Sequence, residues 1–292
     1  MSGILTGVPS IDWNRAEWDG RYDWSRGGDE WSLEWGSPKV QWLTTLWPRI
    51  SPFLPTGKIV EIAPGFGRWT QFLLPLCRTY VGFDLSTKCV EACRARFHDV
   101  DHAVFTANDG LSLPGVAERS ADFVFSFDAL VHVEFDVISA YLVSLEQALA
   151  PDGVAFLHHS NLRSYPGQVG LTRVLEAAGS IAIAAERAQH ILCDWQQHRS
   201  KTVDGRRVAK ACQKAGLTCV SQELIAWGGS GHHLLDCITV IARCGSRWDR
   251  PTIVVRNPAF ADAARSSHAV AKLYHASGNS VAAARVQLQT RP

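Results

Sequence analysis

A short apolar run at residues 58–62 passes without a break into Ala63-Pro64-Gly65-Phe66-Gly67, and a second run at 79–83 ends on Asp84. A short, largely apolar run closed by Gly and Pro reads as a buried strand, and the helical period resuming at 70–76 makes the unit a strand, a glycine turn and a helix. Repeated units of this kind force parallel strands, because each helix must carry the chain back to the edge where the next strand begins. Few folds satisfy that constraint.

The alternation continues with strands at 103–106, 121–127, 153–158, 217–224 and 236–243, and helices at 87–97, 137–149 and 205–215. This predicts an α/β, doubly wound, mostly parallel seven-stranded Rossmann-like sheet with helices on both faces. Val40, Leu43, Leu46, Trp47 and Ile50 recur at helical spacing and lead into the first strand. Residues 38–246 are therefore read as one domain, with a lid insertion at about 162–200 that carries an alanine-rich helical run at 172–187. Residues 1–37 hold Trp13, Trp18, Trp24, Trp31 and Trp35 at irregular intervals and are expected to form an arm or lid. Residues 247–292 are expected to be a helical tail, with an amphipathic helix at 259–274 bearing Leu273 and Tyr274.

The chain has 292 residues, 46% of them hydrophobic, enough to bury one large core. Its 29 basic and 28 acidic residues leave a formal charge of +1, which gives no broad footprint for nucleic acid or an anionic membrane. No stretch reaches the length of an apolar membrane span, and the eight cysteines show no paired CxxC spacing. The expectation is a cytoplasmic protein with reduced cysteines, no membrane insertion and no metal.

In an open parallel sheet the ligand sits beyond the carboxyl ends of the strands, where strand order reverses. Each loop at that end carries a suitable residue. Gly65 and Gly67 permit close backbone approach, and Glu61 can take an ammonium directly or through water. Asp84 can accept both hydroxyls of a ribose, Asn108-Asp109-Gly110 can meet an adenine amine, and Phe127-Asp128 follows the fourth strand. The residue three beyond Gly67 is Thr70, so the full GxGxxG of dinucleotide-binding proteins is absent.

Glu61-x-Ala63-Pro64-Gly65-x-Gly67, Gly82-Phe83-Asp84, Asn108-Asp109-Gly110 and Ser126-Phe127-Asp128 resemble the successive motifs of class I S-adenosylmethionine-dependent methyltransferases over about residues 38–244. Ala63-Pro64 replaces the commoner Gly-x of the first motif. The resemblance implies S-adenosyl-L-methionine as cofactor and S-adenosyl-L-homocysteine as product. It implies contacts at Glu61, Ala63, Gly65, Gly67, Arg68, Asp84, Leu85, Asn108, Asp109, Phe127 and Asp128.

Transfer to a hydroxyl needs a base for the departing proton, and His132, His158 and His159 fall on the loops nearest the expected methyl group, beside Asp128. His158 and His159 end a strand, so their side chains point to opposite faces. The run Phe156-Leu157-His158-His159-Ser160-Asn161, with Gln197-His198-Arg199 and Gln222 to Trp227, is similar to a subgroup associated with sugar and polysaccharide O-methylation. This implies a sugar or glycan acceptor with His159 as first choice of base and His158 second, His132 being read first as a cofactor contact. The alternatives are an N-methyltransferase of small molecules and a non-catalytic partner subunit. A homo-oligomer through the C-terminal helix is open.

Overall fold

The computed structural model describes residues 10–167, 198–227 and 233–275. The helix expected at 172–187, Gln197 and His232 lie outside the described residues.

Eight strands form one sheet in the order β3-β2-β1-β4-β5-β7-β6-β8. They are β1 (Thr56–Ile62), β2 (Cys77–Asp84), β3 (Ala103–Ala107), β4 (Ala121–Ser126), β5 (Leu149–Ser160), β6 (Leu217–Ile225), β7 (Asp236–Arg243) and β8 (Ile253–Asn257). Strands β1 to β5 are parallel, while β7 runs antiparallel to both β5 and β6. The doubly wound α/β sheet predicted from the sequence is thus present. One strand more than expected completes it, since β8 pairs parallel to β6 and comes from the segment read as tail. Its sequence Ile253-Val254-Val255 is β-branched and suits an edge strand.

Alternation along each strand divides the core. Ile59, Tyr80, Phe123, Phe125 and Phe156 face Leu46, Ile50 and Leu73 on one side. Val60, Ile62, Phe83, Val124 and Leu157 face α6 (Phe135–Ala148) and α7 (Gly205–Lys214) on the other. Helix α6 buries Val137, Ile138, Tyr141, Leu142, Leu145 and Ala148, a stripe at helical period.

The first strands are positioned by a broken helix, Pro38–Gln41, a π turn at Trp42–Leu46 and then Trp47–Ile50, where one continuous helix was expected. Pro48 has no amide hydrogen to donate, which accounts for the irregular ladder around it. The arm is more regular than its tryptophan spacing suggested. It forms α1 (Ile11–Ala16), capped by Ser10, a π turn at Glu17–Arg21 and a 3₁₀ segment at Asp29–Trp35. Trp35 is buried and donates to Thr45 Oγ1 at 2.7 Å. Beyond β8, the helix Phe260–His275 buries Phe260, Ala261 and Ala264 and leaves Val270 and Leu273 exposed.

Candidate active site

Strand order reverses between β1 and β4, and a cleft of about 990 Å³, open at its mouth, lies over the carboxyl ends of these strands. Seven expected contact residues line it: Ala63, Gly65, Arg68, Asp84, Leu85, Phe127 and Asp128. The turn after β1 holds Ala63 at φ +58° and Gly65 at φ +58°, so the alanine accepts a left-handed backbone that glycine adopts more cheaply.

Asp84 ends β2, accepting from Gly65 N at 3.0 Å and Ser86 N at 2.9 Å. Burial pushes its carboxyl up to about 7 despite these two amides. Ser86 caps α5 (Thr87–Arg96), so Asp84 precedes the helix cap and is not itself the cap.

Four expected contacts do not reach the cleft. Glu61 points to the opposite side of β1, where Thr70 donates to it at 2.7 Å and Tyr80 donates as well, and burial raises it to about 7. Its alternation on the strand carries it away from Ile62 and Ala63, which do line the site. Gly67, at φ +83°, backs onto Phe97, where a Cβ would come within 2.5 Å of the ring; this glycine serves packing against the end of α5. Asn108 braces its own loop, donating to Ser112 O at 2.7 Å and Tyr141 OH at 3.2 Å. Asp109 is exposed and accepts from the amides of Leu111 and Ser112, both at 2.8 Å.

The arm supplies what motif reading left open. Trp18, Trp24 and Trp31 line the cleft, with Ile11 and Asn14. Trp24 stacks on Phe66 at 4.4 Å with the planes 2° apart, directly over Gly65. Asn14 Nδ2 donates to His132 O at 2.7 Å, and Ser86 Oγ donates to Asp19 at 2.5 Å. Val137 and Tyr141, one turn apart on α6, also line the cleft. That spacing, at the start of the helix after β4, was a readable signal.

The three histidines occupy three environments. His158 stacks behind Phe127 at 4.5 Å, with Nδ1 3.2 Å from an Asp128 carboxylate oxygen and Nε2 3.2 Å from Asp236 Oδ2. Burial by itself would lower its pKa, but the two carboxylates outweigh burial and hold it above the ordinary value. Both carboxylates are in turn held low against burial, Asp128 by Arg68 and His158, and Asp236 by Arg199 and His158.

His159 faces the other side of the sheet. Its Nε2 meets Thr239 Oγ1 at 2.8 Å, its Nδ1 meets Ser160 O at 2.9 Å, and burial depresses it to about 4. The residue preferred as base is fully buried with both nitrogens engaged.

His132 sits in the 3₁₀ turn Leu130–His132, its ring 5.5 Å from Trp18 and 6.2 Å from Trp31. Nδ1 lies 3.3 Å from His198 O, whereas Nε2 is buried without a hydrogen-bond partner. Burial, helped by the nearby Arg199 charge, lowers this imidazole to about 4.

The sequence profile of a methyltransferase-domain family matches residues 39–222. No curated protein matches the chain. Among solved structures, the PH0226 protein of Pyrococcus horikoshii is 16% identical with a TM-score of 0.48, over 78% of this chain and 95% of that one. An S-adenosylmethionine-dependent methyltransferase from Mesorhizobium loti is 18% identical with a TM-score of 0.47, over 68% and 97%. DhpI, solved with S-adenosylhomocysteine, is 17% identical with a TM-score of 0.46, over 80% and 95%.

Proposed function

We propose an acceptor for a chain that belongs to the family of S-adenosylmethionine-dependent methyltransferase domains: a hydroxyl of a sugar or glycan, with His132 taking its proton. When bound, the cofactor supplies an electrophilic methyl group on a sulfonium. The residues present fit it. Asp84 would hold the ribose hydroxyls, Leu85, Val137 and Tyr141 would flank the adenine, and Arg68 with Asp128 would face the amino-acid end. Trp69 lines the same cleft and has a buried, unpartnered indole N–H, a donor in want of a ligand acceptor.

The observation that carries the base assignment is that His132 Nε2 is buried without a hydrogen-bond partner or a facing carboxylate, whereas His158 Nε2, also without a hydrogen bond, faces Asp236 at 3.2 Å. A proton acceptor must present a lone pair within reach of the hydroxyl, and a ring depressed to about 4 is unprotonated at neutral pH. His158 is engaged by two carboxylates that raise its pKa, and His159 has no nitrogen to spare. An amine acceptor places less demand on a base, which favours the hydroxyl. Support for a sugar comes from the indole faces of Trp18 and Trp31 beside His132, which suit the apolar C–H face of a pyranose.

The test is mass spectrometry of nucleotide sugars and glycans incubated with S-adenosylmethionine, seeking a gain of one methyl group. His132→Ala should keep its affinity for S-adenosylhomocysteine and lose about 10²–10⁴-fold in kcat. Full turnover by that variant would end the base assignment, and methylation confined to amines would end the hydroxyl reading.

A further inference from the structure

One group of buried charges touches both ends of the site without belonging wholly to either. Arg68 Nη2 lies 2.7 Å from Asp128 Oδ2, and Asp128 meets His158 at 3.2 Å. His158 meets Asp236 at 3.2 Å, and Asp236 is clasped by Arg199 through Nε at 2.7 Å and Nη2 at 2.9 Å. Trp227 Nε1 also donates to Asp236, at 2.5 Å. All five ionisable residues are buried or nearly so. Basic and acidic side chains alternate along the row, and its members come from the loop after β1, the loop after β4, strands β5 and β7, and residues 198–200.

The row's two ends differ in kind. At the first, Arg68 and Asp128 line the cofactor cleft. Asp128 holds φ +64°, a left-handed backbone that a non-glycine residue keeps only when its surroundings over-determine it. Those surroundings are Arg68 on its carboxylate and His158, whose Nδ1 also lies 3.1 Å from the Asp128 amide. At the far end, Arg199 belongs to the segment that seats the proposed base. His198 O faces His132 Nδ1 at 3.3 Å, Ser200 N donates to Val131 O at 2.9 Å, and Ser160 Oγ donates to Ser200 O at 2.8 Å.

We propose that this row of ion pairs is a positioning relay: His158, Asp236 and Arg199 set the geometry of Asp128 and Arg68, and so tie the amino-acid end of the cofactor to the segment that seats His132. The relay rests on the placement of that end against Arg68 and Asp128. None of His158, Asp236 and Arg199 lines the cleft, so their effect on the cofactor is transmitted. Low-dielectric surroundings strengthen each link, and removing one charge leaves its neighbours without a counterion.

The experiment compares two ligands by isothermal titration. S-adenosylhomocysteine carries the amino-acid end, and 5′-methylthioadenosine lacks it. Arg199→Gln and Asp236→Asn are expected to weaken S-adenosylhomocysteine binding about ten-fold while leaving 5′-methylthioadenosine within about two-fold. In an Arg68→Met background the same substitutions should cost about two-fold or less, because the route to the ligand has been cut. Equal losses for both ligands, no loss, or an undiminished loss in the Arg68→Met background would each overturn the relay. A wild-type protein that bound neither ligand would instead overturn the cofactor placement, and the relay with it. Should Asp236→Asn fail to fold, Arg199→Gln decides alone, with Arg199→Lys, which keeps the charge, expected to recover part of the affinity.

Discussion

His158 and His159 are neighbours in sequence, equally buried, and opposite in almost every physical respect. On one side of β5, His158 lies between two carboxylates, and its pKa is raised. On the other side, His159 bonds to a hydroxyl and a carbonyl with no ion pair, and burial drives it down to about 4. Burial is common to both, so the partners decide the charge state. One face of the strand is a polar seat for chemistry, and the other is core with its hydrogen bonds satisfied.

The largest test of that contrast is to break one partner on each face. Asp236→Ala leaves Arg199 and His158 buried without their shared carboxylate and should cost about 3–5 kcal/mol in denaturant unfolding. Thr239→Val on the opposite face removes only neutral hydrogen bonds, to His159, Gln222 and Cys237, and should cost about 1–2 kcal/mol. Equal costs would mean that the two faces do not differ in electrostatic character.

Acid titration should separate the histidines by sign. His132 and His159 have folded values of about 4 against 6.5 in the unfolded chain, so the unfolded state takes up protons first as the pH falls. Stability should therefore drop between pH 6.5 and about 4, by up to a few kcal/mol, and His159→Gln should flatten part of the slope. His158 runs the other way. Its raised value contributes stability that is fully present below 6.5 and is lost as pH rises through the folded value. Thermal melts across this range, on wild type and His159→Gln, make the comparison.

Asp84 extends the contrast to the cofactor. Burial pushes its carboxyl up to about 7, and a ribose diol is held best by the ionised form. Affinity for S-adenosylhomocysteine should rise from pH 6 to pH 8 with proton release, detectable in buffers of different ionisation enthalpy. Asp84→Asn should lose about 10-fold to 100-fold in affinity and the pH dependence with it. The smallest effect belongs to the arm. Trp24→Ala forfeits its stack on Phe66 and should weaken cofactor binding by about five-fold.

These expectations draw on both sequence and structure, in unequal shares. The strand ending at Ile62, the turn with Gly65 and the terminal Asp84 were legible because backbone sterics and a short-range apolar period specify them locally. The extra strand Ile253–Asn257 was not, since pairing beside β6 depends on where the chain returns after a long excursion. Glu61 looked like a ligand for the same reason that Asp84 did. The half-turn of the strand between Glu61 and Ile62 sends it to Tyr80 and Thr70 instead. The tryptophans of the arm had no period to interpret, and their contacts with Phe66 and His132 join segments far apart in the chain.

By itself the sequence determined the alternation of strands and helices, the order of the loops that frame the cleft, and the placement of His158 and His159 on opposite faces. All three follow from periodicity and from the short reach of backbone geometry. Tertiary structure alone decided what each histidine nitrogen faces, which carboxylates meet which cations, and that the arm lines the site. Those outcomes depend on charges and lone pairs brought within about 3 Å by segments distant in sequence, and no local pattern encodes such a distance.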